Sequence, residues 1–219
     1  MTEKQKFPTY KDHLNKTFLE ELNYKIWSTK GARFLASRRL LLRNDWSNKA
    51  IAFLSAYLII LGLLSVYQIS LANEDVVNPN ILAFGSTAIS ILVLLYSQLE
   101  ASQDYKMRAH HFHDCSLKLA PLYNEARIFK TLKIASDVEK EAFALKLANQ
   151  YQEVLSHYEN HSDIDYLMFR ASEAYYFHFD RCKVYRIKVS YYFQTLFIYH
   201  SIIALPILVM IILVMRNKL

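Results

Sequence analysis

The sequence predicts an all-α integral membrane protein: an N-terminal two-helix transmembrane hairpin, a cytosolic helical bundle and a C-terminal third transmembrane helix. Three observations carry that expectation. Residues 50–73, 76–99 and 189–215 are runs of 24, 24 and 27 residues without Asp, Glu, Lys or Arg. About 20 helical residues at roughly 1.5 Å each already cross the hydrocarbon core of a bilayer. Only 3 Gly and 4 Pro punctuate 219 residues, so few loops interrupt the helices. Charge is uneven: residues 1–49 hold 11 Lys/Arg against 5 Asp/Glu, residues 100–188 hold 13 of each, and Glu74 and Asp75 alone separate the first two runs.

Lys and Arg stay on the cytoplasmic side of a membrane. The chain therefore reads as a multi-pass protein of the cell inner membrane with its N-terminus in the cytoplasm, the Glu74–Asp75 turn outside and residues 100–188 inside. A full third crossing places Arg216 and Lys218 outside. The first residues are polar and lack an apolar h-region, so 50–73 is expected to act as its own signal anchor. Four segments follow: a basic N-terminal segment 1–49, the hairpin 50–99, a cytosolic helical region 100–188, and a C-terminal helix with a short tail, 189–219.

Within 1–49, Phe18, Leu22, Ile26 and Ala32 or Arg33 recur at nearly helical spacing. Arg33, Arg38, Arg39, Arg43 and Lys49 alternate there with Trp27, Phe34 and Leu40, the pattern of a basic helix lying along the inner leaflet over 27–43. Trp46 fits an interfacial belt. In the first span Ser55, Gly62 and Ser65 share a face; in the second, Ala83, Ser86, Ser90 and Ser97 do. Small residues let helix backbones approach closely. The same weakly polar stripe either packs the hairpin or lines a pore when several hairpins assemble. Neither span holds a charged ring of the kind that builds a selectivity filter, nor a buried carboxylate for proton coupling.

The second span is expected to run unbroken through 98–120 and to end at Pro121. A further helical stretch covers 122–134. Ser136 and Glu139 then form a capping-box pattern before a helix whose apolar face is Phe143, Leu147, Tyr151, Val154 or Leu155, and Tyr158. Ser162 starts another helix, expected to continue through Tyr175, Tyr176, Phe179 and Tyr185 directly into the third span.

Chemistry is sparse. On one helix His110 pairs with Asp114, and His111 with Cys115, at i,i+4, a spacing able to hold zinc. Two or three ligands from a single helix do not close a tetrahedral site, so no metal is assigned and the cluster reads as structural. His200 lies inside the third span, where a neutral, hydrogen-bonded imidazole is expected. No Gly-rich phosphate loop, Gly-x-Ser-x-Gly or His-Glu-x-x-His is present, so no catalytic residue and no cofactor is assigned, and the protein is not read as an enzyme.

The order of several short motifs resembles one family. Trp27-Ser-Thr-Lys-Gly31-Ala-Arg33-Phe34, then Arg38-Arg39-Leu, a two-span hairpin, Phe112-His113-Asp-Cys115 with Leu119, and finally Tyr158-Glu-Asn160-His161-Ser162-x-x-Asp165-Tyr166 together resemble the SLATT domain over about residues 20–185. The Asn-His-Ser-x-x-Asp-Tyr element is closest to the branch associated with reverse transcriptases. The resemblance implies a membrane effector of a bacterial conflict system that oligomerises, permeabilises the inner membrane and arrests or kills the cell. It also implies a genomic-neighbour sensor, such as a nucleotide synthase or a reverse transcriptase. The third span departs from the family's two-span core.

The rival readings are a non-conducting adaptor that recruits a cytosolic partner through its helices, and a transporter or channel subunit. A nucleic-acid-binding N-terminus is disfavoured, because bilayer headgroups explain the same arginines more simply.

Overall fold

A computed structural model describes residues 16–67 and 79–216. The polar lead-in 1–15, the turn with Glu74 and Asp75, the flanking residues 68–73 and 76–78, and the tail with Lys218 lie outside the described residues. Among those described there are seven helices and no strand: α1 Phe18–Tyr67, α2 Pro79–Ala101, α3 Tyr105–Leu132, α4 Asp137–Ser156, α5 Asp163–Ser172, α6 Arg181–Thr195 and α7 Phe197–Arg216. The chain forms two compact units. The first joins the residues up to Arg39 with Arg108–Lys188, and the second joins Leu40–Met107 with the residues from Val189 onward.

The first unit is built from helix faces of α1, α3 and α4. Thr17 opens α1 by donating its backbone N–H to Glu20 Oε2 at 3.2 Å while its hydroxyl accepts from the Glu20 N–H at 3.4 Å. Leu22 and Ile26 from α1, Cys115, Leu119, Leu122 and Ala126 from α3, and Leu147 from α4 form one buried cluster. Their spacings of three and four place each set on one stripe. Each fully buried Leu or Ile contributes about 1.5–3 kcal/mol, so truncating Ile26, Leu119 or Leu147, all fully buried, damages the cluster. Phe143, Tyr151, Val154 and Tyr158 pack against it, which selects Val154 over Leu155 on the face of α4. The Ser136–Glu139 capping box forms as its spacing requires.

Several boundaries differ from the sequence-based expectations. The expected surface helix over 27–43 is part of α1, which has no turn between residue 43 and the apolar run beginning at 50. No Pro falls in α1, and the apolar stripe Leu22, Ile26, Ala36, Leu40 is buried, so nothing bends the backbone away from the run that follows. The second span does not continue unbroken: α2 stops at Ala101 and Asp104 adopts a left-handed conformation at φ 49°. Aspartate tolerates that region because its short polar side chain is accommodated locally. Pro121, expected as a stop, lies inside α3. Both Pro121 and the residue whose carbonyl loses its partner, Leu117, are exposed, so water can satisfy that carbonyl.

The expected single helix from Ser162 into the third span is also divided. It ends at Ser172, His178 is left-handed at φ 51°, and the Asp180 carboxylate accepts the Lys183 N–H at 3.3 Å to start α6. A second break at Leu196 bends α6 against α7 by 66°.

In the second unit, the Tyr57 hydroxyl of α1 donates to the Ile203 carbonyl of α7 at 2.9 Å, and the Tyr199 hydroxyl of α7 donates to Glu100 Oε2 of α2 at 3.0 Å. Two helices are long and apolar enough to cross a membrane, within Phe18–Leu64 and Ala83–Leu132, or three if the bent pair α6–α7 counts as one span.

Candidate functional site

The residues that carry the sequence motifs converge in the first unit. α1 supplies Trp27, Gly31, Arg33 and Arg39; the start of α5 supplies His161, Ser162, Asp165 and Tyr166. Asp165 is fully buried, and its two oxygens accept from Arg39 Nε and Nη2 at 2.7 and 2.9 Å. Asp165 Oδ2 also accepts the Ser162 backbone N–H at 3.1 Å, so one carboxylate both opens α5 and binds α1. Arg33 is 1% exposed; it donates to the Glu159 carbonyl and lies 5.8 Å from the centre of the Phe112 ring. These contacts correct the membrane-surface role expected of Arg33 and Arg39. Both guanidinium groups are taken up inside the helical unit: Arg39 is paired with a carboxylate, whereas Arg33 is met by a carbonyl and the Phe112 ring and its Nε has no hydrogen-bond partner. Arg38 is exposed. In the second unit Arg43 donates to the Gln194 carbonyl at the end of α6 at 2.7 Å, and Lys49 pairs with Asp45 at 2.7 Å and stands 4.6 Å over Trp46.

An aromatic cluster forms where α1 meets α5 and the segment that follows it. Tyr24 and Tyr166 share a hydroxyl–hydroxyl hydrogen bond of 3.0 Å, Trp27 meets Phe169 edge-on at 4.8 Å, and Phe177 stacks on Trp27 at 6.2 Å. Gly31 is required by Phe169: a Cβ on Gly31 would overlap ring carbons Cε2 and Cδ2. Arg170 sits over this group, 4.9 Å from Phe177 and 4.8 Å from Phe179. His161 is half-buried with no partner on Nδ1. Burial, then the nearby Arg33 charge, hold its pKa below the ordinary value, with Asp165 and Asp163 opposing. Asn160 is exposed, and His113 stands outside the cluster, edge-on to Phe34 at 5.5 Å.

Phe169, Arg170 and Phe177 were not singled out from the sequence. Phe177 lies between α5 and α6, where no periodicity marks it, and α5, which carries Phe169 and Arg170, is too short at 10 residues for its pattern to single them out. Arg33 did carry a signal: it falls seven residues from both Ile26 and Leu40, inside the buried stripe of α1.

The His110–Cys115 segment divides between surface and core. His110 Nε2 is 3.4 Å from Asp114 Oδ2, His111 is exposed and Cys115 is fully buried. Among the described residues no group of three or more His, Cys, Asp or Glu is placed to hold a metal ion.

In the second unit the hydroxyls of the small-residue stripe bond their own helix. Ser55 donates to Ile51, Ser86 to Ala83, Ser90 to Ser86 and Ser97 to Leu94, at 2.7–2.9 Å. Ser55, Ala83 and Ser90 are exposed, and a Cβ on Gly62 would meet nothing within 4 Å. The side chain of Ser65 lies outside the described residues. His200 accepts or donates through Nδ1 to the Tyr192 hydroxyl at 2.9 Å and stands edge-on to Trp46 at 4.2 Å.

A family model described as the SMODS and SLOG-associating 2TM effector domain, family 5, matches residues 15–212. The chain belongs to this family. SLATT proteins are two-span membrane effector domains associated with conflict systems and are not a known enzyme family. With its two long apolar helices, this SLATT chain is a membrane protein. No curated protein and no solved structure matches it.

Proposed function

We propose that this SLATT chain is the membrane-embedded effector of a prokaryotic antiphage system, which oligomerises into a pore that disrupts the inner membrane and arrests or kills the cell. The observation that carries the reading is that no residue in the apolar window of the Ala83–Leu132 candidate span is buried within the chain. A charge-free window with no fully buried residue leaves most of its surface to lipid or to further copies, and its small face of Ala83, Ser86 and Ser90 suits close helix approach. Internally bonded hydroxyls make that face tolerable in lipid and weakly polar when it meets water.

In this reading the N-terminus is cytoplasmic, α7 forms a third crossing, and the first unit is a cytosolic handle. The handle receives the signal from a genomic neighbour such as a nucleotide synthase, in keeping with the family's description, or a reverse transcriptase.

The experiment is inner-membrane potential in bacteria expressing the chain from an inducible promoter, with and without its genomic neighbours. Depolarisation that Ser90→Glu alters supports the pore, and dependence on the neighbours identifies the trigger. An unchanged potential in both conditions, with full-length protein verified in the membrane, overturns the pore and leaves a non-conducting adaptor.

A further inference from the structure

Beside the N-terminal turns of α1 lies an open cavity of about 640 Å³ that the pore reading does not employ. Its walls are unusual for a gap between helices. Four aromatic side chains line it, Tyr24, Trp27, Tyr123 and Tyr176, together with Lys16 and Lys130. Tyr24 and Tyr176 are nearly parallel, 19° apart with centroids at 6.4 Å, and Tyr176 is half exposed, so part of its ring is accessible from solvent. Two more cations approach the Tyr123 ring, Lys30 at 4.5 Å and Arg127 at 5.9 Å.

One acid shares the wall, Glu20, and it is engaged. Its Oε2 accepts from the Thr17 N–H and hydroxyl at 3.2 and 3.1 Å, while Oε1 stands 3.5 Å from Lys130 Nζ. Asn23, also in the wall, has a side-chain oxygen with no hydrogen-bond partner.

We propose that this cavity binds a nucleotide, with the base stacked on Tyr176, which Trp27 meets edge-on at 5.0 Å, and the phosphates met by Lys16 and Lys130. The class follows from the walls. Ring faces select a planar partner, since every base offers a π-face for stacking. Mobile ammonium groups at the rim select an anion that presents charge in several directions, as a phosphate chain does. The volume lies within the range of about 300–1,000 Å³ that encloses small ligands. An uncharged apolar ligand would leave the lysines and Asn23 unused. The inference goes beyond the pore reading and does not depend on it, because binding is measured on the purified chain without any reading of flux.

The test is calorimetric titration of the full chain in lipid nanodiscs with adenine, guanine, cytosine and uracil ribonucleoside triphosphates. Inorganic tripolyphosphate and adenosine serve as separate probes for charge and ring. The expected result is saturable binding of at least one nucleotide, at least tenfold tighter than either fragment. Tyr176→Ala weakens it about tenfold, as loss of one stacked ring does. Lys130→Ala weakens it and flattens its dependence on salt. Tyr176 and Lys130 are both at the surface, so neither variant is expected to unfold the chain; thermal unfolding verifies this. Failure of every nucleotide to saturate up to about 1 mM overturns the proposal. So does tripolyphosphate binding as tightly as the nucleotide, or binding that neither variant changes.

Discussion

Arg39 and Asp165 are 126 positions apart and meet through two charge-assisted hydrogen bonds with almost no solvent access. Breaking one side of such a pair leaves an unpaired buried charge, which costs about 3–5 kcal/mol. Arg39→Leu and Asp165→Leu are each expected to destabilise the first unit by that amount, whereas the double variant loses much less than the sum. Thermal unfolding of the three variants in detergent reads this coupling; additive losses would show that the pair does not act as a unit. Asp165→Leu also removes the acceptor for the Ser162 N–H, so its loss is expected to exceed that of Arg39→Leu.

His161 supplies a pH dependence whose sign is determined. Its folded-state pKa lies below the ordinary value of 6.5, so the unfolded chain takes up a proton first. The stability it contributes is therefore present above about pH 6.5 and declines as pH falls through that value toward the folded one. Melting temperature followed from pH 7.5 to 5.5 is expected to fall, and His161→Gln to fall less steeply. Equal slopes would assign the loss to other groups.

At the scale of elements, α4 depends on its start. The Ser136 hydroxyl accepts the Glu139 N–H, and the Glu139 carboxylate returns to the Ser136 N–H at 2.8 Å. Ser136→Ala is expected to cost about 1 kcal/mol and to speed hydrogen exchange in the first turn of α4 ahead of the rest of the helix. This cap, the apolar stripe of α4 and the charge-free runs were legible because each is a pattern within one or two turns. The breaks at Asp104, His178 and Leu196 were not. Nothing near them is a Gly or Pro, and a left-handed Asp or His leaves no local pattern to read. Pro121 misled in the opposite direction: an exposed proline inside α3 leaves only one carbonyl for water, a penalty the buried Cys115–Ala126 face offsets.

For the whole molecule, the two cysteines report topology. Cys182 is exposed at the start of α6, and Cys115 is buried in the core of the first unit. A membrane-impermeant maleimide is expected to label only Cys182 in the folded protein, and only after the inner membrane is opened, if the first unit is cytosolic. Labelling of intact spheroplasts would reverse the proposed orientation. Cys115 is expected to react only after denaturation, through burial alone, which makes it an internal control for folding in the same sample.

Membrane insertion was determined by the sequence itself, because transfer of a helix into hydrocarbon sums over its own residues and a charge-free run of about 20 residues suffices. The helical class was determined likewise, by scarce Gly and Pro and by caps written in adjacent residues. The fate of the arginines was decided only by tertiary structure. Arg33, Arg38 and Arg39 read alike as basic positions, yet Arg38 faces outward while Arg33 and Arg39 find a carbonyl and a carboxylate on a segment more than a hundred residues away. A charge is stable at a lipid surface or inside a protein according to which partner reaches it, and that partner is chosen by the packing of α5 on α1.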